Sequence, residues 1–256
     1  MIKLSSRPGC PPVLKSKKVT TARRSLNKKV RAGKKLNSSD FKGKSYWGET
    51  KQTLHAYQNG KCCYCERHRD ANAEADVEHF RPKLGVTENS GHPGYWWLAY
   101  KWNNLLFVCK SCNSDHKQNH FPLLQEIDRA STPKNNLSAE KPVLIDPSLE
   151  DPDDFIDYDW ESIPGKVFPV GKDAEERGRQ TIKILALDIR DDLHESRWGI
   201  LQTLQFAERI LHSSSPQQPM YQYALEQLKR KADSRQECLG FVRCYISRRE
   251  LQEFIK

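Results

Sequence analysis

The sequence predicts an α+β fold, mostly helical, in which a zinc-stapled strand–strand–helix core is followed by a C-terminal helical region. Three observations predict it. Two C-x-x-C units, Cys62–Cys65 and Cys109–Cys112, bracket residues 66–108. Two short strand-like runs lie beside them, "DVEHFRPK" and "LLFVC", and a polar stretch suited to a helix follows the second. After about residue 172 the apolar residues recur at helical spacing. The expected organisation is a basic, weakly structured arm over 1–45, the core over 46–135, a Pro/Asp-rich connector over 136–172 and helices over 173–256.

The arm is marked by charge. Residues 1–61 hold 16 Lys/Arg against 2 Asp/Glu, a net of +14, which leaves −5 on the rest of a chain whose total is +9. A basic arm on a mildly acidic body points to a polyanion partner, and phosphate contacts are what such arms supply. "KSKKVTTARRSLNKKVRAGKK" shows few apolar positions and no sustained period. From Tyr46 the pattern changes: Trp47, Leu54 and Tyr57 fit a short amphipathic helix that stops at Gly60. The start has no apolar segment of signal-peptide length, and no run approaches the ~20 apolar residues of a membrane helix. A cytoplasmic protein without a membrane partner is the expectation. In a reducing compartment its eight cysteines are metal ligands and buried thiols rather than disulfides.

Each C-x-x-C unit aims two thiolates at one ion, so Cys62, Cys65, Cys109 and Cys112 together make a four-thiolate zinc site. Cys63 is left out, because C-x-C is a poorer bite. The interval between the pairs exceeds the ~15–20 residues of an ordinary zinc ribbon, so the ion clamps a segment large enough to carry something. In "DVEHFRPK", Val77, His79 and Arg81 alternate with Glu78, Phe80 and Pro82, a short strand ended by proline. A carboxylate beside an imidazole can bind a hard cation and take a proton from water. "NSDHKQNH" after Cys112 reads as a helix with Asn113 near its start, and Asn113, His116 and His120 at i, i+3 and i+7 on one face. The aromatic run Tyr95, Trp96, Trp97, Tyr100 and Trp102 is read as packing rather than base stacking. His55, His68, His92, His194 and His212 are read as surface or capping residues.

The connector, "NNLSAEKPVLIDPSLEDPDDF", reads as loops around one short strand, "VLI". Beyond it, "DAEERGRQTIKILALD", "LHESRWGILQTLQFAERILH", "PMYQYALEQLKRKA" and "CLGFVRCYISRRELQEFI" give three or four helices that bury one another's apolar faces. Cys238 and Cys244 are ordinary buried thiols there.

Glu78-His79 on a first strand, Asn104 in the connecting loop and Asn113 directly after Cys112 resemble the HNH endonuclease family with its ββα-metal motif. The C-x-x-C pairs match the zinc-bearing subset of that family. "LIDPSLEDPDDFIDYDW", "GKVFPVG" and "ERGRQTIKILALD" extend the likeness to the nuclease subunits of Septu-type anti-phage systems and the HNH proteins that accompany some retrons. Two departures stand out: Glu78 replaces the usual Asp, and Asn113 replaces the frequent helix His.

The resemblance implies a DNA endonuclease. Glu78 with Asn113, or with His116 one turn on, would hold Mg²⁺ or Mn²⁺. His79 would be the general base and Asn104 its orienting residue. Zinc would be structural, and Arg81 and Lys117 are candidate phosphate contacts. It also implies an ABC/SMC-like ATPase partner and, in retron settings, a reverse transcriptase. Two rivals remain: a zinc-stabilised nucleic-acid-binding adaptor without catalysis, and an RNA-cleaving nuclease, since such a cleft does not choose the sugar.

Overall fold

Val19, Ala22 and Leu26 recur at spacings of three and four, and in the computed structural model they are the buried side of a helix, α1 (Lys17–Arg31). Ser16 caps it by accepting the Val19 amide proton at 3.4 Å. The first 45 residues are therefore not a loose arm. Sparse apolar positions among many charges hid a regular helix, whose Val19, Ala22 and Leu26, with Leu14 just before it, belong to one buried cluster with Trp96, Tyr100, Trp102, Leu105 and Phe107.

The structure describes residues 1–71 and 74–255, in two compact units. One comprises Leu4–Cys63 and Arg69–Asp146; the other comprises Met1–Lys3, Tyr64–His68 and Pro147–Lys256.

In the first unit a 3₁₀ turn, Tyr46–Thr50, runs into a second helix, α2 (Lys51–Tyr57). Gly60 follows with φ +73°, the left-handed geometry that lets glycine end a helix. Two strands, β1 (Ala75–His79) and β2 (Leu105–Cys109), pair antiparallel, with Ala75 opposite Cys109 and His79 opposite Leu105. Every residue of β2 is buried, which explains its continuous apolar run. The chain returns from β1 through a loop held at Gly94 (φ +79°), where a Cβ would meet the backbone of Leu84 and Gly85 at 2.5 Å. The aromatics there are packing residues: Tyr95, Trp96, Tyr100 and Trp102 are all buried.

The helix expected after Cys112 is a π-helical turn, Ser111–Lys117. Its wider winding and early end remove the shared face proposed for Asn113, His116 and His120. His120 lies beyond the turn, its ring bonded to Glu88 at 2.7 Å. "VLI" is buried but forms no strand; the nearest pairing is an isolated bridge between Leu123 and Pro142.

The second unit contains a hairpin that the connector reading missed, β3 (Ile156–Asp159) paired with β4 (Phe168–Gly171). Its signal is period-2 burial at Ile156, Tyr158 and Trp160, masked by Asp and Pro. Four helices follow as expected: α3 (Arg177–Ile184), α4 (Asp191–Ser213), α5 (Pro219–Ala232) and α6 (Leu239–Arg248). Burial raises the thiol of Cys238 to about 11. Cys244 is raised to about 12 by burial and by donating to Asp157. Two histidines differ from the surface reading. His92 is buried with its ring on the Ala130 carbonyl, and His194 is buried between the Val167 and Asp188 carbonyls.

Candidate nuclease cleft and cysteine cluster

The ligand sulfurs of Cys62, Cys65, Cys109 and Cys112 lie within 4.8 Å of one another, and all four residues are buried. A tetrahedral zinc with bonds of about 2.3 Å needs sulfurs roughly 3.8 Å apart. The four cysteines therefore fit a structural zinc with no position left for water. Cys109 ends β2, and its sulfur accepts the Cys112 amide proton at 3.4 Å, the turn geometry that C-x-x-C spacing promises. Cys63 stands outside the cluster; its amide donates to the Phe107 carbonyl at 3.2 Å. Among the described residues no other group of three or more His, Cys, Asp or Glu converges in this way.

Beside β1 opens a cleft of about 600 Å³ lined by Asp76, Val77, Glu78 and His79 in succession. Four consecutive residues can line it because β1 has only one sheet neighbour, so the wall is its unpaired edge rather than one face. Asn113 lines the same cleft, with Ser114, Gln118 and Asn119. His116 is not among the lining residues, so of the two helix ligands proposed, Asn113 is the one that reaches the cleft. Gln118 ends the π-turn at φ +46°, an uncommon backbone for a side-chain-bearing residue and one that concentrates at functional sites.

His79 is buried, and its Nε2 lies 2.9 Å from the Ala99 carbonyl. A carbonyl only accepts, so Nε2 carries the proton and Nδ1 keeps its lone pair. Trp47 packs against the ring in a T-shaped arrangement, 4.9 Å between centroids. Burial lowers the imidazole to about 3; the Lys83 charge pushes the same way, while the Ala99 hydrogen bond opposes it. The ring is thus neutral at physiological pH.

Among the described residues the Asn104 side chain makes no hydrogen bond to His79. That side chain accepts from the Arg81 amide at 2.9 Å and donates to the carbonyls of Arg81 (3.0 Å) and Leu98 (3.4 Å). It ties together the two segments that hold the imidazole, one just beyond β1 and one adjoining Ala99.

Lys117 and Arg81 are corrections to the expected phosphate contacts. Lys117 is fully buried, and its ammonium donates to Glu78 Oε1 at 2.5 Å and to the His79 carbonyl at 3.3 Å. Arg81 is bound to the buried Glu140 at 2.8 Å, which also accepts from Tyr95 and the Ala130 amide. Neither lines the cleft. The cations that do are Lys51 and Lys83, which the sequence reading passed over along with Trp47. Lys83 sits over the Trp47 ring at 5.2 Å, and burial lowers its ammonium below the usual lysine range.

The Glu78–Lys117 pair has a direct stability consequence. Removing one partner of a buried pair costs roughly 3–5 kcal/mol, because the other charge is stranded. Lys117→Met should therefore destabilise the unit by about that amount in denaturant unfolding. The double variant Glu78→Gln/Lys117→Met should recover much of the loss.

Glu78 Oε2 has no hydrogen-bond partner among the described residues, and Asn113 lines the same cleft. One carboxylate oxygen and one amide oxygen are a hard-cation donor set, since Mg²⁺ takes few protein ligands and completes its shell with water and phosphate.

No protein-family model matches the chain. It is 32% identical to the Septu protein PtuB of Bacillus mycoides (strain KBAB4) over 205 residues, covering 77% of this chain and 67% of that protein. It is also 32% identical to the Septu protein PtuA of the same strain over 136 residues, which is 52% of this chain and 18% of PtuA. The two matched shares overlap, so part of this chain resembles segments of both.

Proposed function

The chain belongs to the family of the Septu protein PtuB, and from that premise we propose that it is a metal-dependent DNA endonuclease of HNH type. It would be the nuclease subunit of an anti-phage complex that works with an ABC/SMC-like ATPase. One observation carries the reading: Glu78, His79 and Asn113 line a single open cleft in which the His79 ring is held with its Nδ1 lone pair available.

A divalent ion bound there supplies charge stabilisation to the phosphorane and the leaving 3′ oxygen. Glu78 Oε2 and the Asn113 carbonyl are the groups that would hold it. Lys117 fixes the other Glu78 oxygen and so sets the direction of the carboxylate. His79 takes a proton from the attacking water at Nδ1, while the Ala99 carbonyl and Trp47 prevent the ring from turning. An imidazole lowered by burial and by Lys83 is a poor base alone. An incoming phosphodiester brings negative charge that offsets Lys83 and raises its basicity where the proton must be accepted. Lys51 and Lys83 line the cleft and draw that phosphate in. Asn104 keeps the loops around the imidazole in register.

Supercoiled plasmid incubated with the protein and Mg²⁺ or Mn²⁺, alone and with its ATPase partner, should be nicked or linearised. Removal of the divalent ion should stop it. Plasmid left intact under every one of those conditions would count against the nuclease reading, and cleavage of RNA in its place would move the substrate.

A further inference from the structure

α1 carries a second feature that its packing role does not explain. At 100° per residue, Lys17, Arg24, Lys28 and Arg31 fall within about 60° of arc, on the side opposite Val19, Ala22 and Leu26. All four are exposed, whereas those three apolar residues are buried. Among the described residues none of the four takes part in an ion pair, while Lys29, on the flank, is bound to Asp40 at 2.7 Å. No acidic residue occurs before Asp40.

The spacing of this stripe and its N-terminal end work against the helix that carries it. Arg24 and Lys28 at i, i+4, and Lys28 and Arg31 at i, i+3, are like-charge neighbours that destabilise a helix. Lys17 and Lys18 also stand at the positive end of the helix dipole, where acids are favoured, and the first turn has none. A face chosen for solubility or stability would intersperse glutamates. Lys28 and Arg31 stand in the last turn, where the dipole favours cations, but nothing offsets the first-turn lysines or the like-charge spacings, and a local rule broken in this way marks a functional surface.

We propose that the outward stripe of α1 is a binding surface for the phosphate backbone of a nucleic acid, engaging the substrate outside the cleavage cleft. In naming the substrate as the occupant, the inference rests on the nuclease reading. The charges run along roughly 21 Å of helix at 1.5 Å per residue, a length over which a nucleic-acid strand offers several regularly spaced phosphates. A lipid surface fits less well. An interfacial helix inserts an apolar face, and the apolar face of α1 is already buried in the core. On the flank of α1, Arg23 lines a second cleft of about 540 Å³ with Lys101, Asn103, Tyr100 and Trp102. Arg23 of α1 and Lys101, three residues before Asn104, thus share one cleft.

The test is the affinity of the full chain for a short labelled duplex and the matching single strand, measured across a salt series without added Mg²⁺ or Mn²⁺. Lys17, Arg24, Lys28 and Arg31 are all changed to Gln, a good helix former. The expected result is a Kd raised about tenfold or more, with the slope of log Kd against log salt reduced by about 0.9 for each phosphate that α1 no longer engages. A control set on the other unit, Lys166, Lys183, Lys229 and Arg230 changed to Gln, removes the same charge from exposed positions and should leave the Kd within about twofold. Four outcomes overturn the proposal: no nucleic-acid binding by the wild type, an unchanged Kd in the α1 variant, equal losses in both variant sets, or variant-sensitive binding to phosphatidylserine-containing vesicles in place of nucleic acid. Binding needs no cutting. A chain that binds through α1 but never cleaves rejects the nuclease reading alone, and one that cleaves with unchanged binding in the variant rejects this inference alone.

Discussion

His79→Ala should lower metal-dependent plasmid cleavage by about 10²–10⁴-fold, the usual worth of a positioned general base. It should leave zinc content unchanged. The expectation follows from the tautomer that the structure enforces. With Nε2 donating to Ala99, only Nδ1 can take a proton, and no other imidazole lines the cleft. The ring also packs on Trp47, so alanine leaves a cavity and some stability is lost. The rate must therefore be read well below the unfolding transition of the variant. Trp47→Leu supplies an independent check. It keeps the base and removes the aromatic ring packed against it, so a loss of about tenfold is expected, far short of the His79 effect. A folded, zinc-loaded His79→Ala protein that cuts at the wild-type rate would remove His79 from the mechanism.

What could be read from the sequence divides along physical lines. β2 lies where "LLFVC" indicated, Leu105–Cys109, because a short apolar run followed by a cysteine turn admits little else. The cysteine pairs were legible because C-x-x-C is a local geometry. The exclusion of Cys63 followed from the same argument, and the convergence of the other four agrees with it. Features that depend on tertiary context were not legible. A π-helical turn has no sequence period that separates it from an α-helix over seven residues. Lys117 looks like any solvated lysine until β1 places Glu78 against it. Trp47 and Lys83 reach the His79 cleft from outside the strand–strand–helix motif, so no spacing rule could have found them. α1 was hidden for a different reason. Its apolar residues were present at helical spacing, but charge density of the kind that marks disorder outweighed them.

The largest structural effect should come from the metal. The wild-type protein is expected to hold one zinc, and Cys62→Ser or Cys109→Ser should lose it together with the near-ultraviolet signature of the aromatic-rich core. β1 and β2 pair over only five residues each, and a two-stranded sheet of that size is marginal without support. The register sets Ala75 opposite Cys109, so one end of the sheet is anchored by a cysteine of the cluster. Structural zinc contributes about 10–16 kcal/mol in small zinc domains, as much as the whole net stability of a typical domain, about 5–15 kcal/mol. Removing it should release β1 and, with it, the edge that carries Glu78 and His79. Chelation should therefore abolish cleavage even when Mg²⁺ is restored in excess, and only added zinc should recover it. Cys63→Ala is the matched control: equally close in sequence and equally buried, it should keep the zinc. Zinc lost equally from Cys63→Ala and Cys62→Ser, or a wild-type chain that folds and cuts without zinc, would reject the four-cysteine assignment.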